Sequence, residues 1–568
     1  MRYYTYMHAQ KGMTLIDVIV GTALVLIIFL ALFGILRASI QLSTYIKSES
    51  TADAIATNQM ESIRSLPYTS VGTVGGIPAG SIPQNATTTE DGVGYGVRTF
   101  IQYYNDPGDV SGNIDYKLIK VVVTYIAGGK SRQIVLVSDY APPSLGTSTG
   151  GGSLEVTVVN AAGAPVPGAT VTITNASTSP IVNLTTFSDV SGIVDLPGAA
   201  TSTQYAISVT KSGYSTAQTY ARTITNQNPT PGYMTIVQGQ TTNGTFAIDA
   251  LGTLNLSTFS PVATSTFTDT FTNSSKLTTL SSAVVSGGDI ILSGGSGNYA
   301  SSGTAISTTT SPAYLVSWGT ASSTITTPAR TTGVFHIVDG SGTVLPDAVL
   351  PGNSVGFITS VNLSSVSTST YPSLALSATL TSTATSSTPT ISNWGLSYQY
   401  GPVPLPNIGF SLTGAKTIGS TGAGAPIYKT NVSGITNSGG LDPLSLEWDS
   451  YSLLVPSYDI VDACTAPPYA LSPGTTLPES LILVPTTGNT ILVAVTDSSG
   501  NPISGATVSL SRSGFTTQTV TSSSCGNAYF GNLTSSSSYT VSIAKSGYTS
   551  NSANSVNVSG ETFYAISF

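Results

Sequence analysis

Several sets of residues in this chain have the types and spacing to do chemistry. Glu447 and Asp449 flank Trp448, and on one strand two such carboxylates would face the same way, as a glycosidase pair could. Working pairs come from different elements held at a set separation, so these two acids read instead as a solvated strand face. Asp106, Asp109 and Asp115, with Asn113, lie in NDPGDVSGNIDYK. They could contribute to the roughly six to eight oxygens that Ca²⁺ takes from flexible loops, although the spacing is not that of an EF-hand and acid-rich turns are common. Cys464 and Cys525 are the only two cysteines. An even number in a chain that reads as exported predicts one disulfide, the alternative being two buried thiols.

Other candidates carry less. His8 and His336 are too few to build a histidine metal site or a triad; His336, in VFHIVDG, reads as a strand residue and His8 as part of a removed leader. Trp318 and Trp394 could stack on sugar rings, but tryptophan more often fills a core. No Gly-x-Ser-x-Gly, phosphate loop or His-Glu-x-x-His occurs, so no enzyme is expected. Apart from the Ca²⁺ candidate, no cofactor is expected.

The elements that would position these residues follow from composition and pattern. The 568 residues are only 8% charged, with net charge −8 and 28 Tyr against 15 Phe. Soluble proteins average about 25% charged residues; here Ser, Thr, Gly and Asn carry the polarity, which suits hydroxyl-wetted β-sheet surfaces outside the cell. The 18 Lys and Arg form no basic stripe, so nucleic-acid binding is not expected. The length implies several domains.

Val18 to Leu36 is an uncharged run of 19 residues, long enough to span a bilayer as a helix. A secretory signal has a shorter apolar core with its cleavage site after it. Here the only plausible cut precedes the core, in a leader that carries Arg2 and Lys11 but no acid and so stays cytoplasmic. The plain alternative is an uncleaved anchor. Asp17 stands near the start of the apolar stretch, where a carboxylate costs several kcal/mol unless it has a partner. A loose apolar stripe of Leu42, Ile46, Ala56, Met60 and Ile63 continues the helix to Pro67, a natural stop.

Gly12-Met13-Thr14-Leu15-Ile16-Asp17 resembles the processing site of type IV pilins and pseudopilins, with a class III prepilin-like N-terminus. The family has Glu more often than Asp at this acid and Phe more often than Met after the Gly. The resemblance implies that a prepilin peptidase cuts between Gly12 and Met13 and methylates the new amine. It also implies that Asp17 pairs with the Met13 amine of a neighbouring subunit, a strong pairing in low dielectric. Implied partners are other pilin subunits, the peptidase, an inner-membrane assembly platform and an extracellular glycan or protein. The implied route is insertion in the cytoplasmic membrane, then display on a pilus.

GVGYGVRTFIQYY, YKLIKVVVTY and RQIVLVSDY alternate as three strands, and a small sheet laid on the exposed half of the helix is the pilin head arrangement. APPSLGTSTGGGS is a flexible linker by composition. Beyond it LEVTVVNAAGAPVPGATVTI parallels ILVAVTDSSGNPISGATVSL, and YAISVTKSGYST parallels YTVSIAKSGYTS, with Gly192 and Gly526 at equivalent places. Alternation, a Gly-x-Pro turn and GAT opening the next strand describe a seven-stranded Ig-like sandwich. The repeats resemble carboxypeptidase regulatory-like and collagen-adhesin B-type modules, which implies spacers and presenters.

The expected fold class is therefore mainly β with one long N-terminal helix. The expected order is leader 1–12, helix 13–66, pilin-like head 67–142, linker 143–153 and Ig-like module 154–258. A β-sandwich or jelly roll at 259–402, a divergent β-module at 403–484 and a second Ig-like module at 485–568 complete it. A large modular minor pilin is the expected function. The alternatives are a pseudopilin of a type II-like secretion machine, a membrane-anchored adhesin that never polymerises and a sugar-active enzyme.

Overall fold

The computed structural model of the chain describes residues 15–104, 116–142 and 151–568. It is mainly β, with one long N-terminal helix, α1, at Leu15–Arg64. At about 1.5 Å per residue α1 is roughly 75 Å long. Pro67 ends it, since proline fixes φ and offers no N–H to a continuing helix. Ala52, Ala56, Met60 and Ile63 are buried at spacings of four, four and three, one stripe of the helix. They pack on Tyr95, Val97, Ile101, Ile119, Val121, Val123 and Tyr125, which occupy one face of a four-stranded antiparallel meander. The two alanines present no bulk toward the sheet, so helix and strands approach closely.

The meander runs Asn85–Glu90, Val93–Tyr104, Tyr116–Ala127, Lys130–Tyr140. Gly128 and Gly129 join the last two strands with φ of 61° and 76°, the double positive φ of a two-residue I′ turn. The first strand is not among the three that alternation predicts. NATTTE is an edge strand with little burial, so it has no apolar alternation to read.

Two compact units divide the chain: Met1–Leu251 with Thr417–Lys429, and Gly252–Lys416 with Thr430–Phe568. After the head, the first unit holds a sandwich. One sheet orders Thr241–Ala247, Gly152–Val159 and Ile193–Ala199; the other orders Ala217–Gln218, Ser202–Thr210, Thr170–Asn175 and Val182–Phe187. The last module of the second unit repeats this plan. Asn489–Thr496 lies between Asn527–Leu533 and Glu561–Ser567, facing a four-stranded sheet from Thr507 to Val558.

A shared turn fixes the repeat locally. Asn160, Asp189 and Asp497 each accept with Oδ1 from the backbone N–H groups two and four residues on. The glycine three residues on, Gly163, Gly192 or Gly500, has φ of 80°, 76° or 84°, a region that favours Gly. In the second repeat Ser523 replaces Asp189 and its Oγ accepts from Cys525 N and Asn527 N. A Cβ on Gly192 or Gly526 would also strike the carbonyl of Val158 or Val495.

The expected boundary at 258 falls inside a strand. Gly252–Ser260 pairs parallel with Thr476–Pro485 and antiparallel with Leu441–Leu446, so it belongs with the sandwich formed by residues 403–416 and 430–485. The two-sheet module between Ala263 and Tyr400, with its own core around Trp318 and Trp394, is inserted after that sandwich's first strand. Strand alternation reads as local structure but says nothing about a partner more than two hundred residues away.

Candidate functional site

The first candidate is the outer half of α1. Leu15, Ile19, Leu26, Phe29, Leu36 and Ile46 are all exposed, whereas the half from Ala52 onward is sealed against the meander. Among the described residues this is the one helix long and apolar enough to cross a membrane. Asp17 lies within the helical backbone near its start. Gly12 and Met13 lie outside the described residues, as do Asp106, Asp109 and Asp115.

At the other end of the helix, Lys117 enters the head core and is 1% exposed. Its Nζ donates to the carbonyls of Tyr68 and Val71, both at 2.6 Å, and lies 4.4 Å from the Tyr68 ring centroid. Burial pushes the ammonium down to about 8. The two carbonyls oppose that shift by holding the charged form.

The head also caps an edge of the first sandwich. Val182–Phe187 is the outer strand of its sheet, and an outer strand leaves backbone groups unpaired. Asn183 N donates to Gly75 O, and Asn183 O accepts from Gln84 Nε2 at 2.7 Å. Thr185 N donates to Gln84 Oε1, and Thr185 O accepts from Arg98 Nη2 at 3.1 Å. The Arg98 guanidinium lies over Phe100 and Phe187. A cleft of about 550 Å³ opens beside this seam, lined by Phe100, Tyr104, Lys120, Phe187, Asp189 and Asp195 among others.

The second unit contains a junction between its last two modules. The sulfurs of Cys464 and Cys525 are 2.15 Å apart, with Cα atoms at 4.7 Å. Asp462 Oδ1 accepts from Ser523 Oγ and Asn527 Nδ2, both at 2.8 Å. Asp459, buried, accepts from Thr486 Oγ1, Thr487 N and Oγ1, and Tyr529 OH. Glu561 Oε1 accepts from Ile460 N at 3.1 Å; burial, and then the neighbouring Asp459, push its carboxyl up to about 7. Burial raises Glu479 as well. It also carries Tyr469 well above the usual phenol range, with Glu479 and Glu561 adding to the shift. Leu492, Tyr529 and Phe563 of the last module pack on the Leu-rich core of the one before it. Sequence reading singled out the two cysteines here and none of the acids, whose burial depends on contacts distant in the chain.

The remaining candidates resolve individually. Glu447 and Asp449 do not share a strand face: the backbone breaks at Glu447–Trp448 between Leu441–Leu446 and Asp449–Leu454. Glu447 is buried, 3.6 Å from Lys416 Nζ and bonded to Thr430, while Asp449 accepts from Lys416 N. The expectation of a solvated face is therefore corrected; burial, and the cation beside it, make Glu447 part of the module's interior. Trp318 and Trp394 are each 1% exposed and have no open face for a sugar ring. His336 lies in the strand Thr331–Asp339 with Nδ1 at 2.6 Å from Asn353 O. Among the described residues no group of three or more His, Cys, Asp or Glu is placed to hold a metal ion.

Residues 153–249 and 490–568 match the carboxypeptidase regulatory-like domain family, the two segments in which the repeat was read. No curated protein matches the chain. Among solved structures, the chain is similar to the Bacillus anthracis TIE protein, at 10% identity over 85% of this chain and 72% of that one, with a TM-score of 0.16. It is similar also to BcpA, the major pilin subunit of Bacillus cereus, at 11% identity over 73% and 99%, with a TM-score of 0.13. The shaft pilin SpaA of Lactobacillus rhamnosus GG shows 12% identity over 29% and 89%, with a TM-score of 0.12. Scores this low describe no shared overall superposition.

Proposed function

We propose that this chain is a large modular minor type IV pilin, which joins a filament through α1 and carries its β-modules outward at the cell surface for adhesion. The observation that supports this reading most is the division of α1 into an exposed apolar half, Leu15 to Ile46, and a half buried under a small antiparallel sheet. A soluble helix of that composition would bury its apolar side; one that inserts first into a bilayer and then among like helices leaves it open. In this reading the prepilin peptidase cuts after Gly12, and Asp17 pairs with the Met13 amine of a neighbouring subunit. The modules serve as spacer and presenter rather than catalyst. They follow the proposed order of head, first Ig-like module, divergent sandwich with its inserted module, and last Ig-like module.

The test is the mass of the mature N-terminus on surface-exposed protein. A chain beginning at methylated Met13 is expected, and an intact leader would overturn the pilin reading in favour of a plain membrane-anchored adhesin. Asp17→Asn should leave processing intact yet lower recovery in sheared filaments, because the unpaired amine would be desolvated at a cost of order 3 kcal/mol. Equal recovery would remove the pairing role.

A further inference from the structure

Three sandwiches of this chain share one feature of topology: the first strand and the last strand are parallel hydrogen-bonded neighbours. In the first Ig-like module, Ser153–Val159 pairs with Thr241–Ala247 over seven residue pairs. In the sandwich with the insertion, Thr253–Phe259 pairs with Thr476–Ile482 over seven. In the last module, Thr490–Thr496 pairs with Glu561–Ser567 over seven.

The direction of pull follows from that geometry. Tension along the chain draws the first strand of a module toward its N-terminal side and the last strand toward its C-terminal side. Because the two strands are parallel neighbours, they are pulled along their length in opposite senses. All the ladder hydrogen bonds are then sheared together, and none can open before the rest. An antiparallel pair pulled from the same end opens one pair at a time. We infer that these three ladders are mechanical clamps, so that the sandwiches they close stay folded when the chain bears tension.

The insertion is arranged differently. Its first strand, Ala263–Asp269, pairs antiparallel with Thr390–Tyr400, and Ala263 lies directly opposite Tyr400. Pulled between those two residues it would unzip. It hangs, however, from the distal end of Gly252–Ser260, beyond the ladder that passes load to Thr476–Pro485. While that ladder holds, no tension reaches residues 263–400. The module whose end strands would unzip is thus the one shielded from force, which suits a part that must keep its surface intact while the chain is under tension.

This inference rests on the proposed surface role for its purpose, but its test is made on the purified full chain and is independent of pilus assembly. The chain, with α1 held in a nanodisc, is stretched by single-molecule force spectroscopy between the disc and a handle at Phe568. The first Ig-like module should release roughly 300 Å of contour in a single high-force event. The insertion, worth roughly 480 Å at full extension, should open only after the sandwich that carries it, and at lower force. A second geometry uses the same fold: Ser499→Cys, on the exposed turn after Asn489–Thr496, with the other handle at Phe568. Those two points lie at the same end of the parallel ladder, so the pull peels it. The last module should yield there at a force several-fold below that of the end-to-end pull. Equal forces in the two geometries, or opening of the insertion ahead of its carrier, would overturn the inference.

Discussion

Replacing Glu561 by Gln isolates a carboxyl at the last junction that is pushed up to about 7. Glu561 is raised from 4.5 to about 7, by burial first and then by Asp459. A folded-state value above the unfolded one means that folding takes up a proton. The contribution is therefore fully present below about pH 4.5 and is lost as pH rises through about 7. A shift of that size retained in full would be worth about 3.4 kcal/mol; the carboxyl is partly exposed, and solvent screening brings the figure to roughly 2 kcal/mol. Glu479 is raised in the same direction by burial and adds to the same slope. A chain with several modules does not unfold in one step, so local opening is the quantity to follow. Hydrogen exchange at Asn489–Thr496 and Glu561–Ser567, corrected for intrinsic rates, should show the opening free energy of the wild type falling by roughly 2 kcal/mol or somewhat more between pH 4.5 and pH 8. Glu561→Gln stays neutral throughout and should keep only the shallower slope due to Glu479, with more protection than wild type at pH 8. Parallel profiles for the two proteins, or a flat wild type, would refute the reasoning.

Three further expectations concern the seams. Cys525→Ser opens a loop with a sequence separation of 61; loop entropy sets the loss at about 4 kcal/mol, read as faster proteolysis of residues 485–568, and unchanged susceptibility together with two alkylatable thiols in wild type would argue against a bond. Gln84→Ala combined with Arg98→Ala removes three hydrogen bonds to Asn183 and Thr185. It should weaken exchange protection along Val182–Phe187 by roughly 1–3 kcal/mol without affecting the second unit. Lys117→Met leaves the carbonyls of Tyr68 and Val71 without their shared donor, which should cost the head roughly 1–3 kcal/mol in thermal unfolding followed on the meander.

What could be read in advance was what is local. The long helix followed from an uncharged run and a stop at Pro67, and three of the four head strands from alternation. The polar strand Asn85–Glu90 was invisible because an edge strand with both faces wet needs no apolar period. The place of Gly252–Ser260 was lost for another reason. Its sequence GTLNLSTFS alternates like any half-buried strand, and only pairing with Thr476–Pro485 assigns it to a module. The buried acids fail in the same way: nothing near Asp459, Glu479 or Glu561 in the sequence marks them as interior, since their partners arrive from three separate segments.

The two cysteines, expected to pair because their number is even, carry a second signal in the repeat, where the chain supplies its own control. The two family-matched segments share a turn in which a short polar side chain holds two N–H groups and a glycine takes positive φ. In the first copy the residue before that glycine is Ser191, exposed and chemically idle; in the second it is Cys525. Since the turn's backbone is satisfied in both copies without that side chain, the thiol is not needed to make the turn. Its place at a position the fold leaves free, beside Cys464 on the preceding module, points to a demand from outside the module. That demand is to tie the last sandwich to its neighbour, at the same junction where Glu561 and Asp459 already meet.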